Sequence, residues 1–320
     1  LHTRGVTGTD PYAYTQMGVD LARGGSVRHT FGITRDLAAL GVDPRPLVPL
    51  GYLAPDAATG VAATVWPPGQ AVLLAVGYLL GGERGLYVTT PVLGLASLAA
   101  LWLLAVEALR GWPRDARFLA AGVAVALMAT SFEQIDRQLT PMADIPAQLF
   151  SLLALYGAVR ATRARTHWSA ALAGVCLGAA FDLRYTQVLL APALAWLLLS
   201  DWRERGRRRA LTDLVVCGGA ALLVAAPVLC YHQRAFGGAL RVGSEELALF
   251  SLDAVRRTLP RMLREVAQPR EFRYVLPLAL VGAAVLWRQR RRVSVALGVA
   301  LGVVVAFHLL YEALRLRDLL

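Results

Sequence analysis

The chain has 320 residues, 56% of them hydrophobic and 17% charged, with a mean hydropathy of +0.50. A soluble domain of this size must keep its surface wet, so this composition excludes an ordinary water-soluble enzyme. The net charge of +11 is carried by arginine with no lysine at all, and the arginines sit in short turns between apolar runs. That placement follows the positive-inside rule of membrane proteins and speaks against nucleic acid as a partner.

Residues 1–66 are polar, rich in Gly and Pro, and hold no spanning segment. The chain opens on Leu1-His2-Thr3 without a leader and stops at Leu319-Leu320 in mid-pattern. It is therefore expected to be a piece of a longer protein, truncated at both ends, with a first spanning helix upstream. Residues 68–81, PGQAVLLAVGYLLG, are apolar, but a helix of that length reaches only about 21 Å, short of a hydrocarbon core of about 30 Å. They predict an interfacial or half-inserted helix that closes an outer region over 1–85.

Residues 86–320 predict a transmembrane bundle of about eight spans, at 86–109, 115–131, 142–160, 168–181, 185–200, 210–231, 272–287 and 293–312. The turns 110–117, 160–167, 201–209 and 288–292 hold the arginines, among them Arg110, Arg160, Arg163, Arg165, Arg205 and Arg292. Eight spans place all four turns on one side, which is then the cytoplasm. The loops 132–141, 182–184 and 232–271 fall on the outer side. Within the last of these, Leu252, Val255, Leu259, Met262, Leu263 and Val266 recur at helical spacing between arginines. They predict an amphipathic helix that lies on the membrane surface or packs over the bundle.

The three cysteines, Cys176, Cys217 and Cys230, lie in or beside apolar segments at no metal-ligand or disulfide spacing, and the five histidines are scattered. Chemistry is sought instead among ionisable groups at the membrane edge, where they are costly and tend to have a purpose. Asp10 lies in GTDPYAYTQMGVDLARGG, and Asp144 at the outer end of the 142–160 span. Asp182 and Arg184 share the turn between two short spans of about 14 and 16 residues, which would sink it into a cavity. Carboxylates and an arginine on one outward-facing site are the means to move a group off a phosphate. The residues alone leave other readings open. Asp10 could be a solvated loop residue, Asp144 a first-turn carboxylate favoured by the helix dipole, and Asp182 and Arg184 a polar turn. Asp20 reads as a charge on the surface of the helix that follows Asp10.

The outer segment DPYAYTQMGVDLARGG resembles the first outer loop of the GT-C glycosyltransferases, in which an acid is followed by tyrosines and a helix. TVWPPGQAVLLAVGYLLGG is similar to the short Pro-rich helix that closes that loop. DRQLTPMADIPAQLFSLLALYGAVRA is similar to the family's fourth helix, LGAAFDLRYTQVLLAPAL to its basic–aromatic–apolar pattern, and PVLCYHQRAFGGAL and FRYVLPLALVGAAVLWRQRRR to a later loop and helix. The branch it resembles most is the bacterial dolichyl-phosphate-mannose-protein mannosyltransferase-like group, with the aminoarabinose transferases of lipid A. The family's paired acidic motif is here Asp10-Pro11.

The resemblance implies an all-α polytopic bundle of GT-C type with short interfacial helices on its outer loop. It implies transfer of a sugar, with inversion, from a polyprenyl-phosphate carrier to a lipid, glycan or protein acceptor on the outer face of the plasma membrane. Asp10 is implied as general base. Arg184, and behind it Arg137 or Arg35, is implied as neutralising the departing phosphate. Asp144 would hold the acceptor, a basic residue or a metal, and Tyr12 would bind substrate. No cofactor is certain, and a divalent metal is left open. A transporter or flippase, or a non-catalytic protein of envelope assembly, are the alternatives. The first would show internal repeats or mid-depth charges, whereas no repeat stands out and most spans lack such charges, and the second would need no acid at Asp10.

Overall fold

The computed structural model describes residues 6, 8–43, 45–164, 166–243, 249–267 and 275–311. Arg165, residues 244–248 and 268–271 of the predicted outer loop, the start of the span at 272, residue 312 and both chain ends lie outside them, as does the side chain of Val266. The described residues are mainly helical, with two short strands.

Helix α1 (Thr9–Gly24) opens with Asp10 and Pro11 in its first turn. There a carboxylate complements the helix dipole and a missing N–H costs nothing. It ends at Gly25, whose left-handed φ of 67° lets its N–H reach the Leu21 carbonyl at 3.0 Å. Two short strands, β1 (His29–Thr30) and β2 (Val61–Ala62), pair antiparallel around α2 (Gly32–Ala39).

Helix α3 (Gly69–Ala108) breaks at Gly81 and Gly82. Gly82 adopts φ 59° and ψ −146°, a region that costs a side chain too much. The chain folds back there, because a Cβ on Gly77 would stand 2.7 Å from the Gly85 carbonyl oxygen. The first arm, up to Gly81, is the short helix expected over 68–81. The second arm is the segment expected over 86–109. The first arm buries Leu74 and Ala71 against Met17 and Gly18 of α1.

Helices α4 (Arg114–Ala129) and α5 (Phe132–Leu139) meet at a bend of 61°. The outer loop read from the sequence over 132–141 is thus largely helical. The Ser131 hydroxyl caps it by accepting from the Gln134 N–H at 3.2 Å, and Glu133 and Arg137 pair one turn apart at 3.4 Å. Then follow α6 (Asp144–Ala161), α7 (Trp168–Leu183), a 3-10 stretch Tyr185–Leu190, α8 (Ala191–Leu199) and α9 (Trp202–Arg205). The chain is completed by α10 (Arg207–Phe236), α11 (Leu252–Ala267), α12 (Val275–Gln289) and α13 (Arg291–Leu310). The segment expected over 185–200 becomes α-helical only at Ala191, with Pro192 in the first turn where its lack of an N–H is harmless.

Three described helices, α3, α10 and α13, are long and apolar enough to cross a membrane, and α4 with α5 makes a fourth if the bent pair counts as one. Helices α7 and α12 and the stretch Tyr185–Leu199 are apolar but shorter. The architecture is that of an all-α membrane protein.

Helix α7 is the centre of the bundle, packed between α6 and α10. Small residues let the backbones approach. A Cβ on Gly178 would meet the Ala221 carbonyl oxygen of α10 at 2.6 Å, and one on Gly174 the Ala220 Cβ at 2.9 Å. On the opposite side, Gly157 of α6 sits as close to Ser169 and Ala173. Such small-residue contacts drive helix association in lipid, where no hydrophobic effect separates apolar faces from their solvent. At the arginine-rich end, the buried Asp213 of α10 accepts from His167 at 2.6 Å and Arg205 at 2.8 Å. Arg205 also pairs with Asp201 and donates to the Ala161 and Leu198 carbonyls, tying three turns together.

Candidate active site

The cavity of interest lies at the end of the bundle opposite the arginine-rich turns, and four structural elements converge on it. Helix α1 contributes Asp10 and, one turn later on the same face, Tyr14. The entry to α3 contributes Trp66 and Pro67, the start of α6 contributes Met142 and Asp144, and the chain leaving α7 contributes Arg184 and Tyr185. The cavity has a volume of about 120 Å³. Ligand pockets commonly span about 300–1,000 Å³, so this one encloses a reacting group rather than a whole lipid-linked sugar.

Arg184 forms an ion pair with Asp144 through its Nη1 and the carboxylate Oδ1. The other carboxylate oxygen, Oδ2, is buried and has no hydrogen-bond partner among the described residues. Asp144 opens α6 and is followed by Pro146 in the same turn, so its backbone position is that of a first-turn acid, and its side chain serves Arg184 as well. Arg184 follows the last residue of α7 in an extended conformation, φ −147° and ψ 118°, which turns it out of the helix toward the cavity. Asp10 accepts from the Thr9 hydroxyl at 3.1 Å. Tyr14 is 4% exposed, and burial pushes its phenol well above the usual range, with Arg184 acting to lower it and Asp10 to raise it. Its hydroxyl therefore stays protonated at any physiological pH, in the field of both charges.

Tyr185 donates to His232 Nε2 at 2.6 Å, while His232 Nδ1 lies 3.2 Å from the Ala239 carbonyl. A carbonyl can only accept, so Nδ1 carries the proton and Nε2 receives the Tyr185 hydroxyl. This bond fastens the cavity wall to the far end of α10.

The other sequence candidates fall elsewhere. Arg137 is on α5, paired with Glu133, and its Nη1 lies 3.8 Å from the sulfur of Met142, which does line the cavity. Arg35 is exposed and pairs with its neighbour Asp36 at 3.4 Å. Tyr12 is partly buried on α1 and is not part of the lining. Asp182 stays on α7, its backbone carbonyl packed against Gly69. Asp20 is not a free surface charge, since it pairs with His29 at 2.8 Å and accepts from Gln16 at 2.9 Å, joining α1 to β1. Sequence reasoning passed over Tyr14, Trp66 and Tyr185. The spacing of Tyr14 four residues after Asp10 was the available signal.

Asp10 and Asp144 are the carboxylates of this cavity, and no cluster of three or more His, Cys, Asp or Glu suited to a metal ion occurs among the described residues.

Residues 66–231, just over half of the chain, match the family model described as dolichyl-phosphate-mannose-protein mannosyltransferase. No curated protein and no solved structure matches. The matched stretch contains Arg137, Asp144 and Arg184, whereas Asp10, Tyr12 and Arg35 precede it. A helical membrane bundle that carries this family's sequence over most of its central helices belongs to the dolichyl-phosphate-mannose-protein mannosyltransferase family, and is a membrane glycosyltransferase of GT-C type that brings a glycosyl donor and an acceptor together.

Proposed function

We propose that the protein transfers a sugar from a polyprenyl-phosphate carrier to an acceptor on the outer face of the cell membrane, with inversion at the anomeric carbon. The observation that carries this reading is the convergence of Asp10, Asp144 and Arg184 on one cavity. Asp10 removes the proton of the acceptor hydroxyl as its oxygen attacks the anomeric carbon from the side opposite the phosphate. The bond from that carbon to the phosphate oxygen breaks, and its electron pair leaves with the carrier phosphate. Positive charge develops on the sugar and negative charge on the leaving group, as in glycoside hydrolysis. Arg184 neutralises the leaving phosphate, and its planar fork suits two phosphate oxygens at once. Asp144 positions Arg184 before the donor arrives. The phosphate then competes with Asp144 for a guanidinium that is 44% exposed and within reach.

The supporting features are the family membership and the cation beside an acid in a semi-enclosed site at the end of the bundle opposite the arginine-rich turns. The test is a donor assay on the full-length protein in proteoliposomes. Radiolabelled polyprenyl-phosphate sugars should yield labelled acceptor of inverted configuration and free polyprenyl phosphate. Transfer from a nucleotide sugar, with no turnover of any polyprenyl-phosphate sugar, would overturn the proposed donor class.

A further inference from the structure

A second, larger cavity of about 770 Å³ opens at the arginine-rich end of the bundle, between the ends of α3 and α6 and the starts of α4 and α7. Four arginines line it: Arg110, Arg117, Arg160 and Arg163. A single carboxylate, Glu107, answers two of them, pairing with Arg110 at 3.4 Å and Arg163 at 3.8 Å. The remaining two have no carboxylate partner among the described residues. Arg160 donates to the Tyr156 hydroxyl at 2.7 Å, and Arg117 lies over the Phe118 ring at 5.1 Å with its Nε buried and unpartnered. Excess cations that share a concave wall repel one another, and an anion among them relieves that repulsion.

Beside the arginines the lining includes the apolar Val106 and Leu172. The second arm of α3 and all of α6 run toward this end, whereas α7 starts from it. Val106 therefore lies one turn deeper in the membrane than Arg110, and Leu172 one turn deeper than Trp168. Trp168 is 80% exposed at the rim, where an indole belongs at a lipid–water boundary. A phosphate at the arginines could lead a hydrocarbon tail past Val106 and Leu172. A free phosphate would use only the top.

We propose that this cavity is a binding site for the phosphate headgroup of an anionic membrane lipid, separate from the Asp10–Arg184 site and on the opposite side of the bundle. Basic pockets between spanning helices are suited to such headgroups. The site would clamp the α3–α4 and α6–α7 turns together in an acidic bilayer.

The experiment is native mass spectrometry of the delipidated full-length protein, titrated with phosphatidylglycerol, phosphatidylcholine and inorganic phosphate. Phosphatidylglycerol should be retained and phosphatidylcholine lost. The double variant Arg117→Gln, Arg160→Gln orphans no carboxylate, so it should fold. Each arginine near an anionic lipid is worth about five-fold in affinity, so the pair should weaken phosphatidylglycerol binding roughly 25-fold. The control Arg203→Gln, Arg208→Gln removes two exposed charges from the same face outside the cavity and should bind as wild type. Equal retention of the two lipids, an equal loss in the control variant, or undiminished binding in the cavity variant would overturn the proposal. Displacement of phosphatidylglycerol by millimolar inorganic phosphate would overturn the lipid source.

Discussion

Arg184 stands where α7 ends, held by one carboxylate oxygen of Asp144 whose second oxygen has no partner among the described residues. Arg184→Ala should lower the rate of transfer by about 10²–10³, the usual loss when one donor to a developing negative charge is removed. Arg184→Lys should recover part of it, since lysine keeps the charge without the two-pronged geometry. Normal transfer by Arg184→Ala would make Arg184 a turn residue and nothing more. Asp20 offers the contrast. Its bonds to His29 and Gln16 give it a structural duty, so Asp20→Asn should transfer sugar normally while losing about 0.2–1 kcal/mol of stability, the range for a partly exposed pair. A thermal melt alongside the transfer assay separates the two effects. Asp10, Asp144 and Arg184 were legible in the sequence because a charge at the edge of an apolar run is conspicuous. Tyr14, Trp66 and Tyr185 were not, because an aromatic residue beside an apolar run looks the same whether it fills a core or lines a cavity. Arg35 and Arg137 are placed differently. Each is conspicuous, and each is paired with a nearby acid outside the cavity lining.

Among the elements, the reversal at Gly81–Gly82 decides where the first arm of α3 goes. The length of 68–81 falls short of a span, and the two glycines show how it is turned back. The contact of α7 with α10 rests on Gly174 and Gly178, a four-residue spacing that is visible in the sequence but has meaning only once the partner helix is known. Gly178→Leu would drive a side chain into the Ala221 carbonyl, and overpacking of this kind costs about 1–3 kcal/mol. It should lower the melting temperature of the purified protein, whereas Gly282→Leu on α12, where a Cβ would meet nothing, should leave it unchanged. Asp213→Ala should cost about 1.5–3 kcal/mol, because it removes the charge-assisted bonds to His167 and Arg205 while Arg205 keeps Asp201. Melting temperatures equal to wild type would show that these contacts do not hold the bundle. The helix at 132–139 escaped the sequence reading because its eight residues are polar, and polar residues between apolar runs read as a loop until the Ser131 cap and the Glu133–Arg137 pair are seen together.

For the whole molecule, the arginine-rich turns lie at one end and the Asp10–Arg184 cavity at the other, which is the arrangement the arginine count in the sequence anticipated. The proposed orientation puts that cavity outside. In a background with the exposed Cys230 replaced by Ser, single cysteines at Asp136 and Phe250 should label with an impermeant thiol reagent applied to intact spheroplasts, and cysteines at Gly206 and Gln289 should not. Labelling of Gly206 from outside would reverse the orientation. The claim on which the account stands is that the Asp10 carboxylate accepts the acceptor's proton in the cavity it shares with Arg184. The direct measurement is the rate of sugar transfer by Asp10→Asn in the full-length protein at wild-type abundance. The change is nearly isosteric, and α1 is held by Tyr14 and Met17 rather than by Asp10, so folding and donor binding should persist. Transfer should fall by about 10²–10⁴, the size of a general-base contribution. Transfer by Asp10→Asn at the wild-type rate would contradict the account.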